Sequence, residues 1–122
     1  MNTDTLTPGL RYPNTNRIAL PIEKGLLFVY SYDITRCEAN GNYTVVYLSD
    51  GRKCTIAKAL GQAEALLNER TFVRVHHSHI INLDYLMSYV KGNGGYVVMT
   101  DGAIVTVSRD RKAAFLRQLD YL

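Results

Sequence analysis

The stretch YTVVYLSDGRKCTI, residues 43–56, decides the fold class. Residues 43–49 and 52–56 are β-type runs that flank Asp50-Gly51, a dipeptide suited to a two-residue type I′ hairpin because both central positions need positive φ. Pairing across such a turn sets Tyr47 opposite Cys54 and Val45 opposite Ile56, one continuous apolar face. The device recurs downstream. Residues 96–100 and 103–107 flank Asp101-Gly102, which sets Met99 opposite Ile104 and Val98 opposite Val105, and Asn93-Gly94-Gly95 marks the turn before them.

Outward from these hairpins, residues 18–20, 25–32 and 34–39 are further short β runs, parted by Glu23-Lys24-Gly25 and closed by Asn40-Gly41-Asn42. Residues 71–82 alternate poorly but are rich in Val and Ile. Two segments break the β pattern: residues 58–67 place Ala59, Leu60, Ala63, Leu66 and Leu67 at helical spacing, and residues 110–122 do the same with Phe115, Leu116, Leu119 and Leu122. The expected fold is β-dominated α+β, small antiparallel sheets of about eight to ten short strands with one mid-chain helix and a C-terminal helix. Helical crossovers for a parallel sheet are missing. Residues 1–16, with Pro8, Gly9 and Pro13 among Asn and Thr, read as a flexible linker or tail, and residues 17–122 as the folded domain.

A chain of 122 residues can bury one real core. Hydrophobic residues make up 47% of it, yet no apolar run approaches the ~18 residues of a membrane helix. The polar start Met1-Asn2-Thr3-Asp4 is unlike a signal peptide. A cytoplasmic protein with no membrane partner is expected. Cys37 and Cys54 alone imply neither a disulfide framework nor a cysteine zinc site. The net charge of +3 is mild but unevenly spread: residues 70–117 carry net +4 and all three histidines. A basic half suits an anionic partner, and a solvated charged face would look the same.

His76-His77-Ser78-His79 is the densest cluster of candidate ligands or bases. In a strand, His77 and His79 would share a face while His76 points away, leaving at most two ligands and no cysteine or carboxylate to complete a site. No nucleophile elbow, phosphate-cradling glycine loop or paired carboxylates occur. No enzyme activity, cofactor or metal is expected.

The C-terminal helix carries a sharper signal. With Ser108 as N-cap, Arg109, Asp110, Arg111 and Lys112 form its first turn, and three cations sit at the positive end of the macrodipole, where acids are favoured. A bound phosphate would relieve that conflict, although long side chains splaying into water would also do so. Asn40-Gly41-Asn42-Tyr43 is a polar turn, and His77 and Ser78 lie in another irregular stretch. Asn and Arg make two-pronged contacts to adenine and guanine edges, while Tyr, Ser and His add phosphate or single base contacts. Residues 58–67 have only Lys58, Gln62 and Glu64 on their polar side, too little for a recognition helix. If nucleic acid binds, loops must read it.

The order Glu38-Ala39-Asn40-Gly41-Asn42-Tyr43, then Phe72-x-Arg74-x-His76-x-Ser78 followed by Ile81-Asn82, then Val107-Ser108-Arg109 ahead of a terminal amphipathic helix, resembles the LytTR-type DNA-binding domain of bacterial response regulators. The likeness spans about residues 17–122. It implies a compact β fold that inserts loop side chains into successive major grooves of double-stranded DNA, at promoter sites made of repeated half-sites, each taken by one copy. Carried over by position, the first contact loop maps to Asn40, Asn42 and Tyr43, the second to His77 with Ser78 as a phosphate ligand, and the third to Arg109 as a base contact. By the same carry-over His76, Phe72 and Asn82 are structural, and Arg74 falls between the two roles. Many family members have Arg or Lys where this chain has His77. The family also usually carries an N-terminal receiver domain with a phosphorylatable Asp, which sixteen linker-like residues cannot supply.

The expected function is therefore sequence-specific DNA binding by a transcription regulator, the effector domain of a two-component-type response regulator. Ser108, Arg111 and Lys112 would supply positioning contacts. A homodimer on DNA, and an upstream receiver domain or a sensor kinase if the chain is an excised domain, are the further partners implied. A protein-interaction module with an incidental basic face is the alternative from another class, and single-strand stacking on Tyr43 a third.

Overall fold

The computed structural model describes residues 17–67 and 71–120. The tail assigned to residues 1–16, Arg70 of the basic half and Leu122 of the last helix lie outside them. The chain runs through β1 (Arg17–Ile22), β2 (Gly25–Tyr30), a 3-10 turn (Ser31–Asp33), β3 (Ile34–Asn40), β4 (Tyr43–Leu48), β5 (Lys53–Ile56) and α1 (Leu60–Leu66). It continues through β6 (Phe72–His76), β7 (His79–Asn82), a 3-10 turn (Leu83–Tyr85), β8 (Leu86–Val90), β9 (Tyr96–Met99), β10 (Ile104–Thr106), a 3-10 turn (Arg109–Arg111) and α2 (Lys112–Arg117). The strands form a β1-β2 ribbon, a five-stranded sheet in the order β5-β4-β3-β7-β6 and a three-stranded sheet in the order β10-β9-β8. The pairings are antiparallel throughout. A mostly β domain of small antiparallel sheets with two helices is thus what the hydrophobic pattern encodes.

The five-stranded sheet is covered on both faces. Ile80 and Ile81 are neighbours on β7, so their side chains leave opposite faces, and each is fully buried in a different apolar cluster. Ile80 packs with Leu20, Val29, Ile34, Val46 and Leu60, from the ribbon, the sheet and α1. Ile81 packs with Val75, Val97, Met99, Val105 and Phe115, from β6, the three-stranded sheet and α2. Full burial of each such side chain contributes about 1.5–3 kcal/mol. Between the layers, buried Asn82 donates its amide to Ile34 O at 2.9 Å and accepts from Asp84 N–H at 3.0 Å, capping the 83–85 turn.

Both Asp-Gly hairpins differ by one residue from the register read off the sequence. Val46 faces Cys54 and Thr44 faces Ile56, while Val98 faces Ile104 and Val97 faces Val105. The loops contain three residues, Ser49-Asp50-Gly51 and Thr100-Asp101-Gly102, closed by Leu48 N–H to Arg52 O at 2.8 Å and Met99 N–H to Ala103 O at 2.8 Å. A type I′ turn needs positive φ at Asp50 and Asp101, but only the glycines have it, Gly51 and Gly102 both at +91°. Each Asp instead accepts the N–H two residues on, from Arg52 and Ala103 at 2.9 Å, which favours a type I turn ending in a glycine bulge. The slip exchanges faces: Val46 and Leu48 are buried where Val45 and Tyr47 were expected.

The C-terminal segment also departs from expectation. Ser108 flanks the 3-10 turn with extended backbone, but its side chain makes no capping hydrogen bond. The α-helix starts only at Lys112 and runs six residues. So short a helix has little macrodipole, and the cations at residues 109–112 are not opposed by one. A phosphate held by helix amides is therefore not supported.

Candidate nucleic-acid interface

Three polar loops meet at one end of the five-stranded sheet. The β3–β4 hairpin turns at Gly41-Asn42, with Asn40 paired to Tyr43 and positive φ, +60°, at Gly41 alone, the type II′ pattern that matches strand twist. The β6–β7 hairpin turns at His77-Ser78. Because Glu38 on β3 pairs antiparallel with His79 on β7, both tips project from the same end, and Ala39 N–H donates to Ser78 O at 2.9 Å. The third loop is joined by a bulge: the register shifts between Arg74 and His76, and Val75 O accepts Ser108 N–H at 2.8 Å. Arg74, His77, Ser108, Asp110, Arg111 and Ala114 line one open depression between the second and third loops.

Asn40, Asn42, Tyr43, His77 and Arg109 are exposed at these tips. Ser78, Ser108, Arg111 and Lys112 are half-buried. Ser108 O accepts Arg111 N–H at 3.1 Å, closing the 3-10 turn that carries Arg109 outward. Lys112 Nζ donates to Gly92 O at 3.1 Å, so its ammonium is anchored beside the third loop. Of the residues singled out from the sequence, His77, Ser108 and Arg111 thus line one depression, whereas Tyr43 borders another with Glu23, Thr55, Ile56 and Ala57.

The histidines are arranged differently from the strand expectation. His76 faces His79 across the ladder with ring centroids 5.4 Å apart, and His77 lies over His76 at 4.4 Å. His76 Nδ1 accepts Ser78 N–H at 3.1 Å, which leaves its proton on Nε2 when neutral. Among the described residues no group of three His, Cys, Asp or Glu is placed to hold a metal ion. The thiols are also quiet: Cys37 and Cys54 are both free, on strands either side of Val46, and burial pushes Cys37 up to about 12.

Burial holds His76 below its ordinary 6.5, helped by His77 and Arg111. Burial also lowers His79, against the upward pull of Glu38 and with further depression from His76, Arg36 and His77. The unfolded chain therefore binds these protons first as pH falls. Their stability contribution is complete above the ordinary 6.5 and is lost as pH drops below it toward the folded values. The thermal midpoint should fall between about pH 7.5 and about pH 5. A midpoint that held or rose on acidification would refute this.

Sequence reasoning left Arg74 undecided and read Glu64 only as part of the polar side of residues 58–67. Arg74 donates to Glu64 Oε1 at 3.0 Å and to His77 O at 2.6 Å, so it points inward. Gly94 was legible only as part of a turn. Its fit against Val107 depends on long-range packing that no local pattern records.

The fold is thus a layered β scaffold with exposed, chemically mixed loop tips at one end. The family model for the LytTr DNA-binding domain matches residues 24–120, and the chain belongs to that family. It is 34% identical over 84 residues to the heme-containing CO-sensing transcriptional regulator RcoM 2 of Paraburkholderia xenovorans strain LB400, covering 66% of this chain and 31% of that protein. It is 32% identical over 89 residues to the CO-responsive transcriptional regulator RcoM of Rhodospirillum rubrum, covering 71% and 37%. The chain thus spans about a third of the length of these curated relatives. A solved LytTr DNA-binding domain from Bacillus cereus superposes with a TM-score of 0.74 at 23% identity, covering 87% of this chain and 98% of that one, which establishes the shared fold.

Proposed function

We propose that this DNA-binding domain reads double-stranded DNA sequence-specifically by placing its loop tips in the major groove, as the effector domain of a cytoplasmic transcription regulator of the response-regulator type. The observation that carries this is the convergence of three loops, tied to one another by Ala39 N–H to Ser78 O and Ser108 N–H to Val75 O, on one end of the sheet. Arg109 is the base-reading residue, since guanidinium forks match guanine O6 and N7. Asn40, Asn42, Tyr43 and His77 read flanking positions, and Ser78, Ser108, Arg111 and Lys112 contact phosphate. Two copies on repeated half-sites would raise a modest single-site affinity through effective concentration. The input comes from a receiver or sensor module in the same regulatory system, as the CO-sensing function of the longer relatives suggests by analogy.

Selection from a random duplex pool supplies the target. On it, Arg109→Ala should cost about 1–3 kcal/mol and flatten base preference, whereas Lys112→Ala should weaken target and random duplex alike. Equal loss on both duplexes for Arg109→Ala would count against base reading. Affinity should also fall steeply with salt.

A second reading draws on the outer face of the β1–β2 ribbon, where Leu26, Phe28 and Tyr30 stand exposed beside Tyr32. A protein partner could cover that face. A domain working only that way would show no salt-sensitive DNA binding.

A further inference from the structure

We infer that Arg74 is a positioning residue for DNA reading: its guanidinium, braced by Glu64, clamps the carbonyls of the His76-His77 turn and fixes the direction in which His77 and Ser78 project. The inference rests on the DNA-reading proposal for its consequence, but its structural half stands independently.

The β6–β7 loop is a two-residue turn between paired His76 and His79. Two-residue hairpins favour primed turns, whose twist matches the strands and which need positive φ at the first central residue. Neither His77 nor Ser78 has positive φ. The strands adjoining this turn are also interrupted by the bulge between Arg74 and His76. A tip of this kind is not shaped by its own backbone preference and depends on outside ties.

Those ties are visible. Ser78 N–H bonds His76 Nδ1 and Ser78 O accepts from Ala39 N–H. Arg74 supplies the rest: Nη2 to His77 O at 2.6 Å, Nε to His76 O at 3.4 Å, and Nη1 to Glu64 Oε1 at 3.0 Å. Its side chain is only 18% exposed. Each of its three nitrogens makes an internal contact, so although Arg74 borders the depression between two DNA-facing loops, it is not oriented as a phosphate ligand. Glu64 sits on α1, which packs on β3 and β4. The salt bridge therefore braces the tip from a helix anchored elsewhere on the sheet. A lysine could supply the charge but not the fork.

The test compares Arg74→Ala, Arg74→Lys and Glu64→Ala with the parent chain, after thermal melts and circular dichroism establish that each is folded. In the free protein, amide hydrogen exchange at Ser78 and Ala39 should rise in all three variants, since each loosens the clamp. Unchanged protection there refutes it, whatever happens on DNA. On the selected duplex, affinity should fall about tenfold for Arg74→Ala and Arg74→Lys, the scale of losing a charge-assisted hydrogen bond. Glu64→Ala should weaken binding in the same direction although it removes a negative charge. The slope of log affinity against log salt should stay at the parent value for Arg74→Ala. A slope shallower by about 0.9 would make Arg74 a phosphate contact, and full rescue by Arg74→Lys would make it a mere charge. Either overturns the inference. A parent chain that binds no duplex selectively, with the exchange result intact, would refute the DNA-reading proposal and leave the clamp standing as a structural device alone.

Discussion

Gly94→Ala is expected to lower the thermal midpoint by more than about 10 °C and to weaken DNA binding with it. Gly94 is buried in the turn between β8 and β9, and a Cβ there would lie 1.9 Å from Val107 O and 2.9 Å from the carbonyl carbons of Val107 and Ser108. These are backbone atoms that no rotamer change can move aside. Ordinary contact is roughly 3.5 Å, so turn and strand end must part by more than an ångström. Overpacking usually costs 1–3 kcal/mol, and a backbone clash this close belongs at or above about 3 kcal/mol. The turn is also tied to Tyr89, whose Oη–H donates to Gly94 O at 2.6 Å, and to the clashing strand itself by Val107 N–H to Gly95 O at 3.0 Å, so it cannot retreat freely. The displaced segment is Val107-Ser108, which leads directly into the Arg109 loop. Gly102→Ala is the complementary control: Gly94 has no positive φ and meets only the clash, whereas Gly102 has a φ of +91°, unfavourable for alanine, and nothing within 4 Å of the added methyl. It should cost about 1 kcal/mol. Melts of the two variants side by side separate the clash from the φ effect, and equal midpoints would refute the close-packing account.

What the sequence disclosed, and what it concealed, follow from the range of the interactions involved. Strands and helices were legible because β-type runs bounded by turn residues and helical spacing are local: Leu60, Ala63 and Phe115 are buried as their helical spacing requires. The hairpin registers were not, because Asp-Gly serves both a two-residue I′ loop and a three-residue loop with a glycine bulge. The choice rests on whether Asp50 and Asp101 adopt positive φ or bond the N–H two residues on. A single-residue difference there exchanges every side chain between the faces of the strand. In the candidate site, exposed polar residues at turns were visible by type, and the fold brings Asn40, His77 and Ser108 to one end of the sheet. The direction of a guanidinium was not visible. Arg74 and Arg111 look alike as charges, but Arg74 is committed to Glu64 and His77 O by contacts that span ten residues and a change of element.

Phe115→Ala should be the most destabilising of the side-chain truncations and should disable the third loop even where the protein remains folded. Phe115 is fully buried on α2, packed with Val75, Val97, Val105 and Val107, and its ring meets Tyr89 at 5.5 Å and 59°. Truncating a buried phenylalanine costs about 3–5 kcal/mol, lost transfer energy plus the cavity left behind. Against a total stability of about 5–15 kcal/mol this is a large fraction. The loss has a particular address. A helix of six residues has no stability of its own and exists because Phe115 docks it, with Leu116 and Leu119 alongside. The 3-10 turn bearing Arg109 and Arg111 is continuous with that helix, and Tyr89, the ring against Phe115, is the same side chain that bonds Gly94 O. Undocking α2 therefore releases the Arg109 loop from one side and loosens its brace from the other. At a temperature where the variant is still mostly folded, amide exchange should rise across residues 108–117 before it rises in the cluster around Ile80, and target affinity should drop further than the folded fraction accounts for. Uniform exchange across both clusters, with affinity simply tracking the folded fraction, would mean that α2 is not a separable support for the loop.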